Sequence, residues 1–155
     1  MFIGTAVGQR SYDEAAYFAN KGNCFYSVLH QIGLTDRKLD PKEFAALASF
    51  RIGLTDIAKR AFGPDPGLRP ADFDVNGLVN RLRAVQPEII AFNGKKAASI
   101  FFDCKTKEIY YGRQSRTRNA ALLSGKMFVL PSTSGSAKKY WDVKYWHEIA
   151  KEFQT

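Results

Sequence analysis

The chain predicts a three-layer α/β sandwich around a central, mainly parallel sheet, and three observations carry that expectation. Short apolar runs, Met1-Phe2-Ile3, residues 88–92 and Met127-Phe128-Val129-Leu130, read as buried strands. Segments with helical spacing of apolar residues alternate with them, the pattern of an α/β domain. Two of the runs stop at small, polar stretches: Gly4-Thr5-Ala6-Val7-Gly8 with Ser11, and Pro131-Ser132-Thr133-Ser134-Gly135-Ser136. Ligands of open α/β sheets bind at the carboxyl ends of strands, so these two stretches are expected to form two walls of one cleft.

Each element follows from local signals. After Gly22-Asn23, the residues Phe25, Val28, Leu29 and Ile32 share one helical face over 24–32, with Gly33 as a stop. Asp40, Pro41 and Glu43 occupy the N-cap, N1 and N3 positions of a helix to about Phe50. Residues 52–56 read as a short strand or extended loop, and Gly63-Pro64-Asp65-Pro66-Gly67 as a surface loop. Asp72 or Asp74 caps a helix to Val85, with Leu78, Val79, Leu82 and Val85 on one face, and Pro87 ends it. Residues 88–92 form a buried strand that turns at Asn93-Gly94 into a helix over 95–102. Tyr110-Tyr111 and residues 127–130 are further strands, and Asp142 opens a closing helix to about Phe153.

The 155 residues suit a single domain, 1–155, with a core of useful size. No apolar run approaches the ~20 residues of a membrane helix, so a cytoplasmic protein without membrane association is expected; a monomer is expected as well. Cys24 and Cys104 are too few for a metal knuckle or cluster, and neither a metal nor a cofactor is expected. Charge is more telling. Residues 1–93 carry eleven basic and ten acidic side chains, whereas residues 94–155 carry twelve and five, so nearly all of the net +8 lies in the last two-fifths of the chain. A one-sided excess of this kind suits a polyanion. Its densest clusters are residues 113–118 and Lys138-Lys139 beside Tyr140-Trp141. A Gly-x-x-x-x-Gly-Lys-Ser/Thr loop and a Gly-x-Gly-x-x-Gly fingerprint are both absent, which argues against the common nucleotide-binding loops.

The stretch from Gly4 to Phe25, then Gly53-Leu54-Thr55-Asp56, Phe92-Asn93-Gly94-Lys95, Gly112-Arg113-Gln114 and Leu130-Pro131-Ser132-Thr133-Ser134-Gly135, resembles the mismatch-specific uracil/thymine DNA glycosylases. The motifs stand in the family's order across nearly the whole chain, and the spacing from Thr5 to Phe18 carries no insertion. The first strand is shorter than in that family, with Met1-Phe2-Ile3 left to build it. The resemblance implies that the protein flips a base out of DNA and breaks its N-glycosidic bond, because the reacting atoms cannot be reached in a duplex. It implies a DNA partner with uracil or mismatched or damaged bases, single- or double-stranded. Phe18 is then the aromatic that stacks on the flipped base. Backbone amides at Thr5 and Phe18, beside Ala6, are donors to base carbonyls. Asn93 offers a donor and an acceptor suited to a pyrimidine edge, or else caps the following helix. Ser132, Thr133, Ser134 and Gly135, with Gly8 and Ser11 opposite, approach phosphates and sugar.

Two departures stand out. Many members of that family hold the attacking water with an Asn where this chain has Ala6, and alanine can neither orient nor deprotonate water. Asp56 is the replacement candidate; alternatively it caps a helix beginning at Ile57-Ala58-Lys59. Asp13 and Glu14 are poorer candidates. At Ser136 the family places a large side chain that fills the gap left by the flipped base, and serine is too small. Lys138, Lys139 or an arginine of 113–118 is left for that task, and single-stranded or weakly paired DNA becomes a plausible substrate. Ser132 stands where other branches have a catalytic His, and His30 and His147 fall on predicted helices. Gly8 replaces a bulky aromatic of uracil-exclusive branches, so uracil is expected as the best substrate with tolerance of 5-substituted or other deaminated bases. No lysine stands out as a Schiff-base nucleophile, which points to a monofunctional glycosylase that leaves an abasic site. The competing readings are a catalytically weak or inactive module that binds uracil or damaged DNA, and an unrelated basic α/β protein.

Overall fold

The computed structural model describes residues 1–115 and 123–154. Five strands form one sheet in the order β2-β1-β3-β5-β4, with β1 Phe2–Val7, β2 Leu54–Phe62, β3 Ile89–Asn93, β4 Gly112–Arg113 and β5 Lys126–Leu130. All neighbours run parallel except the edge pair β4 and β5. The helices are α1 Gln9–Asp13, α2 Phe25–Gln31, α3 Val75–Val85, α4 Lys95–Phe102 and α5 Lys144–Phe153. The three-layer architecture expected from the alternation is present.

Strand residues alternate between two cores, which is why these strands read as unbroken apolar runs. Phe2, Ile89, Ala91, Phe128 and Leu130 pack with Phe25, Leu29, Trp146 and Ile149 of α2 and α5 on one face. Ile3, Ile90, Phe92, Met127 and Val129 pack with Leu78, Leu82, Phe101 and Phe102 of α3 and α4 on the other. Phe2 stacks on Trp146 with centroids 5.6 Å apart and meets Phe25 edge-on at 5.3 Å. The Trp146 Nε1–H donates to Pro131 O at 3.1 Å, which anchors α5 under the start of the second polar loop.

Several local expectations need correction. Gly4-Thr5-Ala6-Val7 is strand, not loop: β1 continues to Val7 because β2 pairs along it, Gly4 opposite Asp56 and Ala6 opposite Ala58, with a register shift before Val7 meets Phe62. The segment 52–56 opens a nine-residue strand, so Ile57-Ala58-Lys59 is not a helix and Asp56 caps nothing. Ile57 and Ala58 are fully buried, and their burial outweighs the cap signal. Asp40 does form a capping box with Glu43, but the turns that follow from Pro41 to Phe50 are 3-10. Asp74, not Asp72, caps α3 by accepting from Gly77 N at 2.8 Å; Val85 on its last turn is 61% exposed. The strand expected at Tyr110-Tyr111 lies at Gly112–Arg113. Residues 135–140 form an unexpected 3-10 segment, and the segment 9–13 an unexpected helical turn.

The topology creates the crevice. From β1 the chain crosses to β2 on one side and later returns to β3 on the other. Pairing between β1 and β3 covers only Phe2 with Ala91 and Ile3 with Phe92. Beyond that point β1 follows β2 while β3 follows β5 as far as Asn93 opposite Leu130. The sheet splits at its carboxyl edge, which is where strand order reverses and where α/β proteins bind ligands.

Candidate active site

The split opens into a cleft of ≈ 1380 Å³. Both polar stretches line it as expected, Gly4 to Ser11 on one wall and Ser132 to Ala137 on the other, with Phe18, Asp56 and Asn93 between them. Thr5, Ala6, Gly8, Ser134, Gly135 and Ser136 all reach it, whereas Lys138 stands outside the lining on an exposed turn. His30 and His147 are exposed on α2 and α5, away from the cleft. Of the basic run 113–118, residues 116–118 lie outside the described residues, and Arg113 faces Glu152 at 3.6 Å.

Asp56 is the most unusual group in the cleft. The residue is 2% exposed, yet among the described residues no partner meets its Oδ2. Burial pushes the carboxyl up to about 6, against the pull of the Lys59 and Arg81 cations. Arg81 is held close because its Nη2 donates to the Asp56 carbonyl at 2.8 Å. The opposing strand residue is Gly4, and any Cβ there would collide with Asp56 Oδ1. The carboxyl occupies space that only glycine leaves open. A buried carboxyl titrating near neutrality, on a residue that lines the cleft, has the properties of a general base.

Asn93 does something the sequence did not disclose. Its Nδ2 donates to Thr133 Oγ1 at 2.9 Å, and its Oδ1 accepts from Thr133 N at 3.0 Å. It does not cap α4, whose N-cap is Gly94. This reciprocal pair, with Thr133 only 1% exposed, ties the tip of β3 to the second loop. One amide hydrogen and one lone pair of Asn93 remain for a ligand. Thr133 O in turn accepts from Cys24 N at 3.0 Å, joining the second loop to the end of the first. Gly22 and Gly135 meet there backbone to backbone; a Cβ on Gly135 would lie 3.1 Å from Gly22 O. Ser11 is likewise a brace, buried, with its Oγ accepting from Ala19 N at 3.0 Å. Thr133 and Ser11 therefore turn their hydroxyls inward, and the backbone, Ser132, Ser134 and Ser136 are what the loops offer to the cleft.

Phe18 sits half-buried on the floor, its ring 4.2 Å from that of Phe25. Its φ of 55° is left-handed, a conformation that costs a non-glycine residue about 1–2 kcal/mol. None of the described residues accepts from its N–H. An aromatic ring and a backbone donor without an acceptor among the described residues thus belong to one residue of the cleft lining.

Sequence reasoning missed two contributions. Asp65, read as part of a surface loop, lines the cleft; burial raises its carboxyl, with the Thr5 side chain and Lys96 opposing. Lys95, Lys96 and Lys107 also line it, Lys95 Nζ lying 4.7 Å over the Tyr111 ring. The basic bias of residues 94–155 was the available signal for the lysines; nothing in Gly63–Gly67 marked Asp65.

A three-layer α/β domain whose sheet splits at its carboxyl edge into a cleft lined by lysines and a buried carboxyl has the architecture of an α/β ligand-binding domain. A family model described as the uracil DNA glycosylase superfamily matches residues 1–153, and the chain belongs to that superfamily. Members of the superfamily are typically DNA glycosylases of base-excision repair, hydrolases of N-glycosyl bonds. Among the described residues no helix is long and apolar enough to cross a membrane.

Proposed function

We propose that the protein is a monofunctional uracil-DNA glycosylase of the mismatch-specific branch in which Asp56 does the work of the water-holding Asn replaced here by Ala6. The observation that carries this reading is the buried Asp56 carboxyl, one oxygen of which has no partner among the described residues, on a residue that lines the cleft. The flipped base lies on Phe18, with the Thr5 and Phe18 amides and the unused half of the Asn93 amide toward its edge. Ser132, Ser134 and the loop backbone take the flanking phosphate, and Lys95, Lys96 and Lys107 offset its charge. As the N-glycosidic bond breaks, the base leaves as an anion stabilised by those donors. Asp56 holds a water, takes its proton as the oxygen bonds to the anomeric carbon, and the sugar becomes an abasic site.

Uracil is the best substrate on this reading because it is the better leaving group among pyrimidines of its size. A Cβ on Gly8 would meet nothing within 4 Å, so a 5-substituent finds no steric gate there. A methyl in a pocket changes discrimination by only ~1–3 kcal/mol, so thymine-like bases are poorer, not excluded. Single-turnover excision on a single-stranded uracil oligonucleotide and on U·G and U·A duplexes, each followed by alkali, tests the proposal. Strand breaks at uracil are expected. Binding without breakage would favour a damage-binding module, which Ala6 by itself would suit, and equal efficiency on hypoxanthine would overturn the ranking.

Phe18→Ala is expected to lower kcat/KM on that oligonucleotide ~10- to 100-fold, the range for loss of one base–aromatic stack. Phe18→Tyr keeps the face and most of the rate. A Phe18→Ala variant with full activity would place Phe18 in the core alone, through its contact with Phe25.

A further inference from the structure

The rings of Tyr12 and Phe62 lie parallel on the surface, centroids 4.0 Å apart and planes 11° apart. Tyr12 is 57% exposed and Phe62 44%, so a stack of two large aromatics stands in water at the mouth of a cleft. Tyr12 falls between Ser11 and Asp13, and Phe62 immediately precedes Gly63–Pro66; the flanking residues all line the cleft. The pair is firmly mounted. Val7 and Phe62 are register partners at the ends of β1 and β2, Gly63 N donates to Val7 O at 2.9 Å, and Tyr12 N donates to Gly8 O at 2.9 Å. The polar neighbours on α1 are paired with one another, Gln9 with Asp13 at 2.8 Å and Arg10 with Glu14 at 2.7 Å. What this rim presents to a ligand is aromatic surface.

The cleft also has the other chemistry. Lys95, Lys96 and Lys107 line it, and Lys138 and Lys139 lie exposed on the turn beyond Ser136. A single strand of nucleic acid has two matching sides, a charged backbone and bases with π faces, and its binding sites combine a basic track with stacking aromatics. We infer that Tyr12 and Phe62 form a stacking platform for the nucleobase next to the one that enters the pocket, with the strand's phosphates toward the lysines. This rests on the DNA reading above. It also supplies what Ser136 is too small to give: the neighbouring base is held by a ring on the rim instead of a side chain inserted from the second loop.

The test places 2-aminopurine on either side of uracil in a single-stranded oligonucleotide and follows fluorescence and anisotropy as protein is added. With the wild type, the probe on one side is quenched in the complex. With a Tyr12→Ala, Phe62→Ala double variant, that probe is brighter in the complex and affinity falls ~10- to 100-fold, whereas Tyr12→Phe retains both signals. Circular dichroism and a melting curve establish that the double variant is folded. A folded double variant with unchanged quenching and affinity would overturn the platform and leave the pair as a clasp between α1 and β2. Tight binding by the wild type without quenching on either side would overturn the platform alone. A wild type that binds none of these oligonucleotides would overturn the platform together with the reading it rests on.

Discussion

Asp56→Asn is expected to slow single-turnover uracil excision at least ~100-fold, the lower end of what a general base contributes, while leaving DNA affinity near normal. Asparagine matches the shape of aspartate but cannot take a proton. The pH profile sharpens the expectation. Because burial raises the carboxyl to about 6, the wild-type rate should climb as pH rises through 6 and level off above it, when the base form is fully present. The variant should show no such limb.

Stability should move the opposite way with pH. The folded state holds the Asp56 proton more tightly than the unfolded chain, whose carboxyl titrates near its ordinary 3.8. Between about pH 4 and 6 the folded state therefore binds more protons, and stability falls as pH rises. Lifting the carboxyl from 3.8 to about 6 corresponds to about 3 kcal/mol of differential stability, an order-of-magnitude figure. Denaturant titrations of wild type and Asp56→Asn at about pH 4 and about pH 7.5 should show the difference between them changing by roughly that amount, in favour of the variant at the higher pH. Gly4→Ala offers a second route to the same group, since the new Cβ would displace the Asp56 carboxyl without removing it. A comparable loss of rate in Gly4→Ala is expected. Near-normal excision by Asp56→Asn on intact DNA binding would take Asp56 out of the mechanism.

How far the sequence could be read follows from what each signal depends on. The apolar runs of β3 and β5, the period of α3 and the Asn93-Gly94 turn into α4 were legible, because burial on both faces and local capping leave marks in composition. The second half of β1 was not. Gly4-Thr5-Ala6-Val7 lacks the look of a strand because Gly4 must leave room for Asp56, a requirement set by a residue 52 positions away. Asp56 itself was singled out, but one expected alternative, a helix at Ile57-Ala58-Lys59, fails because β2 buries Ile57 and Ala58 against β1. Asn93 and Thr133 were both named, yet their pairing with each other is a distance across 40 residues that spacing cannot reveal. Asp65 is exposed on the surface loop that the Pro- and Gly-rich turn announces, but nothing in that composition shows that the loop borders the cleft.

Asn93→Ala carries the other large effect, and it acts first on the second loop. The substitution leaves Thr133 N–H and Oγ1 without their partners in a site only 1% exposed at Thr133. An orphaned buried polar group costs about 1–3 kcal/mol, so a loss of about 2–4 kcal/mol is expected in urea denaturation. Thr133 also holds Cys24 N through its carbonyl, so the strain passes to the Gly22–Gly135 contact and spreads the two walls. Thr133→Val separates that bracing from any direct contact with the base. It removes the hydroxyl and leaves one Asn93 hydrogen unpaired, but keeps the Thr133 N–H bond and the part of the amide facing the cleft. If Asn93 serves only as a brace, the two variants should lose excision in proportion to their loss of stability. If its free hydrogen and lone pair also read the base, Asn93→Ala should fall a further ~10-fold or more in kcat/KM than Thr133→Val, whereas Thr133→Ser, which keeps the bracing hydroxyl, should stay near the wild-type rate in either case. Equal kinetics for Asn93→Ala and Thr133→Val at matched stability would confine Asn93 to holding the loop that faces the phosphates.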